Sequence, residues 1–204
     1  MALNYTQLTQ ALQDYIETDE DTFVDQIPII VQQAEDRILK EVQHPVFRKN
    51  VTGSTTGNDQ YLSIPADFLA PYSLAVIDSG YQFLIFKDVH FIRAAYPLVA
   101  DTGVPKYYGI FDDEFFILAP TPATGYNAEL HYFYRPESIV TAGTSWLGTN
   151  AEACLLYGCL VESDNFVKGD PDMMQRYRTD YTEALGKLKL LAEGYNRTDS
   201  YRAG

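Results

Sequence analysis

Three histidines, two cysteines and several clusters of acids are the residues of this 204-residue chain whose types could do chemistry. His44, His90 and His131 fall in different predicted elements, none with a second ligand at metal-binding spacing, so each reads as structural. His131 is expected on the Glu129/Phe133 face of its strand. Cys154 and Cys159 stand five apart in a predicted helix, which is neither a disulfide framework nor a zinc knuckle. Asp112-Asp113-Glu114 could hold a cation, but it lies between two apolar runs and reads first as a hairpin turn. Asp170 and Asp172 bracket Pro171, where Asp170 reads as a helix cap. There is no serine elbow and no glycine-rich phosphate loop. Carboxylate pairs suited to glycoside hydrolysis arise by chance in a chain with 28 acids. The expectation is a protein with no catalytic residue, no metal ligand and no cofactor: not an enzyme.

Charge and aromatic content point to assembly instead. Against 28 acids stand 15 Lys and Arg, a net charge of −13, which argues against gripping nucleic-acid phosphates or an anionic membrane. Residues 1–43 carry nine acids and two bases, a local −7 that is over half of the total. Such a stretch is either a solvated helix face or a surface that repels phosphate; Glu17, Asp19, Glu20 and Asp21 are its densest run. The 16 tyrosines outnumber Lys and Arg together, and tyrosine suits surfaces that are half buried or become buried on association. The N-terminus lacks the basic and apolar regions of a signal peptide, so the chain is expected to be cytosolic at synthesis. Without a signal, the sequons at Asn4, Asn50 and Asn196 are chance matches.

Periodicity predicts the elements that must position these residues. Leu8, Ala11, Leu12, Tyr15 and Ile16 repeat at helical spacing, with Asn4 or Thr6 as cap. Thr22 with Asp25 resembles a capping box for a second helix, whose apolar stripe is Phe23, Ile27, Ile30, Val31, Ala34 and Ile38. Pro28 should kink it or divide it into a short and a longer helix. Residues 44–148 hold eight of the ten prolines. They also hold short apolar runs at 61–64, 74–77, 81–86, 107–111, 115–118 and 130–134, with a short helix at 88–95. The run Phe115–Leu118 is apolar on both faces, so that strand is central or covered by a neighbour. Thr149 to Glu152 reads as a capping box for a helix with Leu156, Cys159, Leu160 and Ser163 on one face, ended by Gly169. Asp170-Pro171 restarts a long helix with the stripe Met174, Tyr177, Tyr181, Leu185, Leu188 and Leu191. Gly194 to Gly204 has no period. The fold class is therefore α+β: N- and C-terminal helices forming a bundle (residues 1–43 and 149–193), a central antiparallel β-sandwich or barrel-like insertion (44–148), and an extended tail (194–204).

Within this order of elements stand Phe23 to Ile38 with its Ala34-Glu35 and Arg37-Ile38, and Ile64-Pro65-Ala66-Asp67-Phe68-Leu69. Gly103-Val104-Pro105 with Pro120-Thr121-Pro122, Tyr132 to Pro136, Ser145-Trp146-Leu147 and Leu155 to Glu162 follow. In these segments and their order the chain resembles the head–tail connector proteins, or adaptors, of short-tailed bacteriophages.

The resemblance implies a virion structural protein forming a ring, commonly of twelve copies, between the portal protein and the tail nozzle, with tail fibres as a further partner, around passing DNA that it does not bind specifically. On that footing Tyr132 and Tyr134 are expected at the subunit interface, and Glu17, Asp19, Glu20 and Asp21 to face the channel. Tyr195, Arg197, Tyr201 and Arg202 of the tail are expected to dock on the portal. The competing reading is a carbohydrate-binding β-sandwich of a phage tail, with exposed Tyr and Trp146 stacking on sugars.

Overall fold

Asn4 opens the first helix with a full capping box: its side chain accepts from the Gln7 N–H, and the Gln7 side chain accepts from the Asn4 N–H. In the computed structural model, which describes residues 2–164, 166 and 170–195, this helix, α1, runs Tyr5–Ile16. The chain is mixed α+β, with helices toward the N- and C-termini and antiparallel sheets between them in sequence. It divides into two compact units, one made of Met1–Val46 with Pro136–Gly204 and the other of Phe47–Arg135.

In the helical unit, α2 (Asp21–Val24) is followed by α3 (Ile27–Glu41) with Pro28 in its first turn, so the proline divides the acidic stretch into a short and a longer helix. The predicted Thr22 capping box does not form, because Thr22 lies inside α2 and Glu20 is the cap residue. The stripe Phe23, Ile27, Ile30, Val31, Ala34 and Ile38 is buried throughout. The segment after Pro136, read as part of the β-rich region, instead forms α5 (Ile139–Ala142) and α6 (Trp146–Asn150) within this unit.

The Thr149 capping box predicted for α7 (Glu152–Ser163) does not form: Thr149 lies inside α6, which Ser145 caps, and α7 starts at Ala151 with no side-chain cap. Helix α7 is the centre of the unit, packed against α1, α3, α6 and α8 (Pro171–Tyr195). That enclosure buries Cys154, Leu155, Cys159, Leu160 and Ser163 together, so its buried surface is wider than one stripe and Leu155 is deeper than Leu156. Gly148 lets the N-terminus approach: Leu3 N–H donates to its carbonyl at 2.7 Å, and a Cβ there would stand 2.4 Å from the Leu3 carbonyl oxygen. Asp170 accepts from the Asp172 N–H and starts α8, which continues through Gly194 rather than ending before it. Its stripe is buried as predicted from Met174 to Leu188, but Ala192 takes the last buried position and Leu191 is exposed.

The β unit stacks two four-stranded sheets. The first has the order β1 (Arg48–Ser54), β10 (Asn127–Tyr134), β3 (Phe68–Ile77), β4 (Tyr81–Phe83), antiparallel throughout. The second has the order β2 (Tyr61–Ser63), β8 (Phe115–Ala119), β7 (Tyr107–Ile110), β5 (Ile85–Phe86), with β5 parallel to β7. Leu74, Val76, Leu130 and Tyr132 of the first sheet meet Tyr108, Phe116 and Leu118 of the second. On the far side of β8, Ile117 and Ala119 are covered by Ile92 of α4 (Val89–Ala95), which explains why this strand is apolar on both faces.

The run 81–86 is not one strand: it changes sheets at buried Leu84. Strand β3 begins earlier than the apolar run that signals it. It carries Pro71 at a bulge and beyond the reach of β4, where a missing N–H leaves no ladder bond open. The short strands β6 (Thr102–Gly103) and β9 (Thr121–Pro122) pair in parallel.

Candidate assembly surfaces

The Pro-x-Asp turn before β3 places Asp67 against the end of β10. The Tyr132 hydroxyl donates to Asp67 Oδ1 at 2.7 Å, the Lys49 ammonium reaches Oδ2 at 2.6 Å, and the Arg135 N–H donates to the Asp67 carbonyl at 2.8 Å. Burial pushes the Asp67 carboxyl up, but the Lys49 and Tyr132 hydrogen bonds outweigh it and hold it below the usual carboxylate range. Burial and the Asp67 bond together raise the Tyr132 hydroxyl.

Tyr132 is 1% exposed and stacks on Phe68 at 5.8 Å, so the structure corrects its expected place at a subunit surface: an inward-pointing residue of β10 fills the sandwich core. Tyr134, two residues on, is only half-buried, with the Lys49 ammonium 5.6 Å from its ring.

The exposed aromatic surface lies elsewhere, along β4 and β5. Tyr81 is 59% exposed and Phe83 67%, their rings nearly parallel at 6.4 Å, and Ile85 and Phe86 continue the exposed edge. In the sequence this run reads as an ordinary strand. Only the sheet order shows that β4 and β5 are both edge strands, so their side chains lack neighbours on one side. On the outer face of the first sheet, Tyr81 donates to Glu129 at 3.2 Å, Glu129 meets His131 Nε2 at 3.0 Å, and His131 meets the Asn50 amide at 2.9 Å. His131 thus stands on the Glu129 face, as its spacing predicts, and its hydrogen bond holds the Glu129 carboxyl below its usual value.

The acids divide sharply. Each of the six described cations of the helical unit has a carboxylate partner: Arg37 with Glu162, Lys40 with Asp36, Arg176 with Asp180, Arg178 with Asp164, Lys187 with Glu183 and Lys189 with Glu41. Glu17, Asp19, Glu20, Asp21 and Asp25 are exposed and meet no cation among the described residues. Glu17 ends α1 in the left-handed conformation at φ 55°, and the chain then turns into α2, so these acids follow one another along the α1–α2 connection and the short helix α2.

The segments singled out in the sequence are also brought together by the fold. Gly103 of the Gly-x-Pro element pairs with Pro122 of the Pro-x-Pro element in the β6–β9 ladder. Glu35 of the Ala-Glu pair is 6% exposed and accepts from the Ile139 N–H at 3.0 Å, and the Ser138 hydroxyl also hydrogen-bonds it. Residues 3–203 match the family model described as SU10 adaptor protein. The chain belongs to the SU10 adaptor family. This is a family of phage head–tail adaptors, so the protein is a structural component of the virion at the head–tail junction. No curated protein matches the chain.

In this adaptor the residues that could have done chemistry are dispersed. His44 is buried, accepts from the Val46 N–H and makes tilted ring contacts with Trp146 at 4.8 Å and Tyr195 at 5.0 Å; burial lowers its basicity. Tyr195, placed in the tail by sequence, is therefore the last residue of α8 with its ring against His44, while Arg197, Tyr201 and Arg202 lie outside the described residues. Burial pushes the Cys154 thiol up to about 12 and raises Cys159 as well. Asp112 accepts from the N–H groups of Glu114 and Phe115, which makes Asp112-Asp113-Glu114 a turn. No group of His, Cys, Asp and Glu among the described residues could hold a metal ion, and no described helix is long and apolar enough to cross a membrane.

Proposed function

We propose that this adaptor assembles into a ring, of twelve copies, that joins the portal to the tail nozzle of a short-tailed phage, forms part of the DNA ejection channel and is assembled in the host cytoplasm. The observation that carries this reading is the row Tyr81, Phe83, Ile85 and Phe86, exposed together along one edge of the β unit. Apolar edges of this kind are covered by a partner in a working protein. A net charge of −13 suits a conduit through which DNA slides without adhering. The tail beyond Tyr195, with Arg197, Tyr201 and Arg202, supplies the portal contact.

Native mass after mixing with portal protein tests the ring. Twelve copies of the 23.1 kDa chain weigh about 277 kDa, and retention of duplex DNA by that assembly at physiological salt would sink the conduit role. Truncation after Tyr195 keeps the His44–Tyr195 ring contact and should abolish portal binding.

A second reading has one observation in its favour. The near-parallel Tyr81 and Phe83 rings beside Glu129, His131 and Asn50 form an aromatic platform with polar groups at its rim, the layout of a sugar-binding face. Glycan binding that is lost in Phe83→Ala while assembly persists would favour it.

A further inference from the structure

In the β unit, Lys49 is paired with Asp67, and Arg48 lies 3.8 Å over the Tyr72 ring. Lys87, Arg93 and Lys106 have no carboxylate partner among the described residues, and all three sit in one corner. The Ile85 N–H donates to the Lys106 carbonyl, the Lys87 N–H donates to the Tyr108 carbonyl, and α4, which carries Arg93, packs on β7. The Lys87 ammonium lies 5.1 Å over exposed Phe91, and the Arg93 guanidinium 5.5 Å over exposed Phe111. The nearby carboxylates of Asp88 and Asp112 accept backbone N–H groups of the helix and turn they begin, and Asp113 and Glu114 extend along that turn. The corner is thus a surface of exposed aromatic rings whose three cations make no ion pair among the described residues.

The same chain holds the complement. The segment from Glu17 to Asp25, which includes α2, has five exposed carboxylates and no cation. A closed ring of identical chains needs two different, mutually complementary patches on each copy. We infer that the Lys87/Arg93/Lys106 corner receives the Glu17–Asp25 segment of an adjacent copy, with Phe86, Phe91 and Phe111 as the apolar ground of the contact. The inference rests on the ring reading and places these acids at the subunit boundary rather than on the open channel wall. It accounts for both unpaired sets of charges at once, since each set is the counter-charge of the other.

Two charge-reversed proteins test it: Lys87→Glu with Arg93→Glu, and Asp19→Lys with Glu20→Lys, each checked for an unchanged melting temperature. Wild-type assembly, read as native mass against concentration and in the presence of portal protein, should be lost in each variant or need about a hundredfold higher concentration. An equimolar mixture of the two variants should recover it, because every junction in an alternating ring is again complementary. Assembly undiminished in both variants, or a mixture that stays unassembled, overturns this interface and leaves the ring reading standing. A wild-type chain that remains a monomer at every concentration, with and without portal, overturns both.

Discussion

The Tyr132 hydroxyl and Asp67 Oδ1, 65 positions apart in the chain, are 2.7 Å apart in the β unit. This bond joins the Pro-x-Asp turn to the closing strand and turns an aromatic-rich strand end into a fixed corner of the sandwich. It also decides what Tyr132 does: a ring in the core with its polar tip satisfied has nothing left to offer a neighbouring subunit.

Tyr132→Phe should therefore lower unfolding free energy by about 2 kcal/mol through loss of a hydrogen bond to a charged group, and Tyr132→Ala by about 4 kcal/mol through the cavity it leaves. Both are read as shifts in denaturant midpoint. Loss of assembly with stability unchanged would return Tyr132 to the interface.

The Asp67 carboxyl titrates below its ordinary value of 3.8 in the folded chain, so the folded state binds fewer protons than the unfolded one in that range. Its contribution to stability is full above 3.8 and is lost as pH falls through the lower folded value. Asp67→Asn should flatten the acid side of the stability profile relative to wild type. Parallel profiles from pH 2 to 5 would show that the Lys49 and Tyr132 contacts are immaterial in solution.

Glu35 has the opposite sign. Burial raises its carboxyl above 4.5 despite hydrogen bonds from Ser138 and the Ile139 N–H, so the folded state holds the proton longer than the unfolded state. Its contribution is full below 4.5 and declines as pH rises through the folded value. Glu35→Gln keeps an acceptor and should remove that decline, while Glu35→Ala leaves the buried Ile139 N–H unpaired at a cost of about 2 kcal/mol. Denaturation midpoints of the two variants between pH 4 and 7 give the comparison.

Gly109 sits where β7 passes the end of β5, and a Cβ there would stand 2.5 Å from the Lys87 carbonyl oxygen. Gly109→Ala should destabilise the chain by about 2 kcal/mol. Gly80→Ala, with nothing within 4 Å, should be close to neutral. Equal melting temperatures for the two variants would mean that the β5–β7 contact yields without cost.

Both thiols are buried and pushed up by burial, Cys154 to about 12. A maleimide reagent at pH 7 should leave the folded chain unlabelled and add two groups in denaturant. Fast labelling of the native chain would show that α7 is open to solvent.

Local signals in the sequence were enough for the helices and much of the sandwich. The Asn4 cap, the apolar stripe from Phe23 to Ile38, the Asp170-Pro171 restart and the two-faced strand at Phe115 each depend on neighbours within a turn or a strand length. What the sequence could not decide was which side of each strand has a neighbour. Tyr132 and Phe83 are both aromatic strand residues, yet one is enclosed and the other exposed, because β10 lies inside its sheet and β4 lies at the edge. Strand β1 leaves no mark in the sequence, because its residues bury almost nothing and so carry no alternation. The division of charges is tertiary as well. Composition showed an acidic chain, but only the folded positions show that the helical unit's described cations are all paired, while Lys87, Arg93 and Lys106 and the acids from Glu17 to Asp25 are not. Periodicity records the local geometry of the backbone. Strand order and ion pairing depend on residues brought together from far apart in the chain, and no window of sequence contains them.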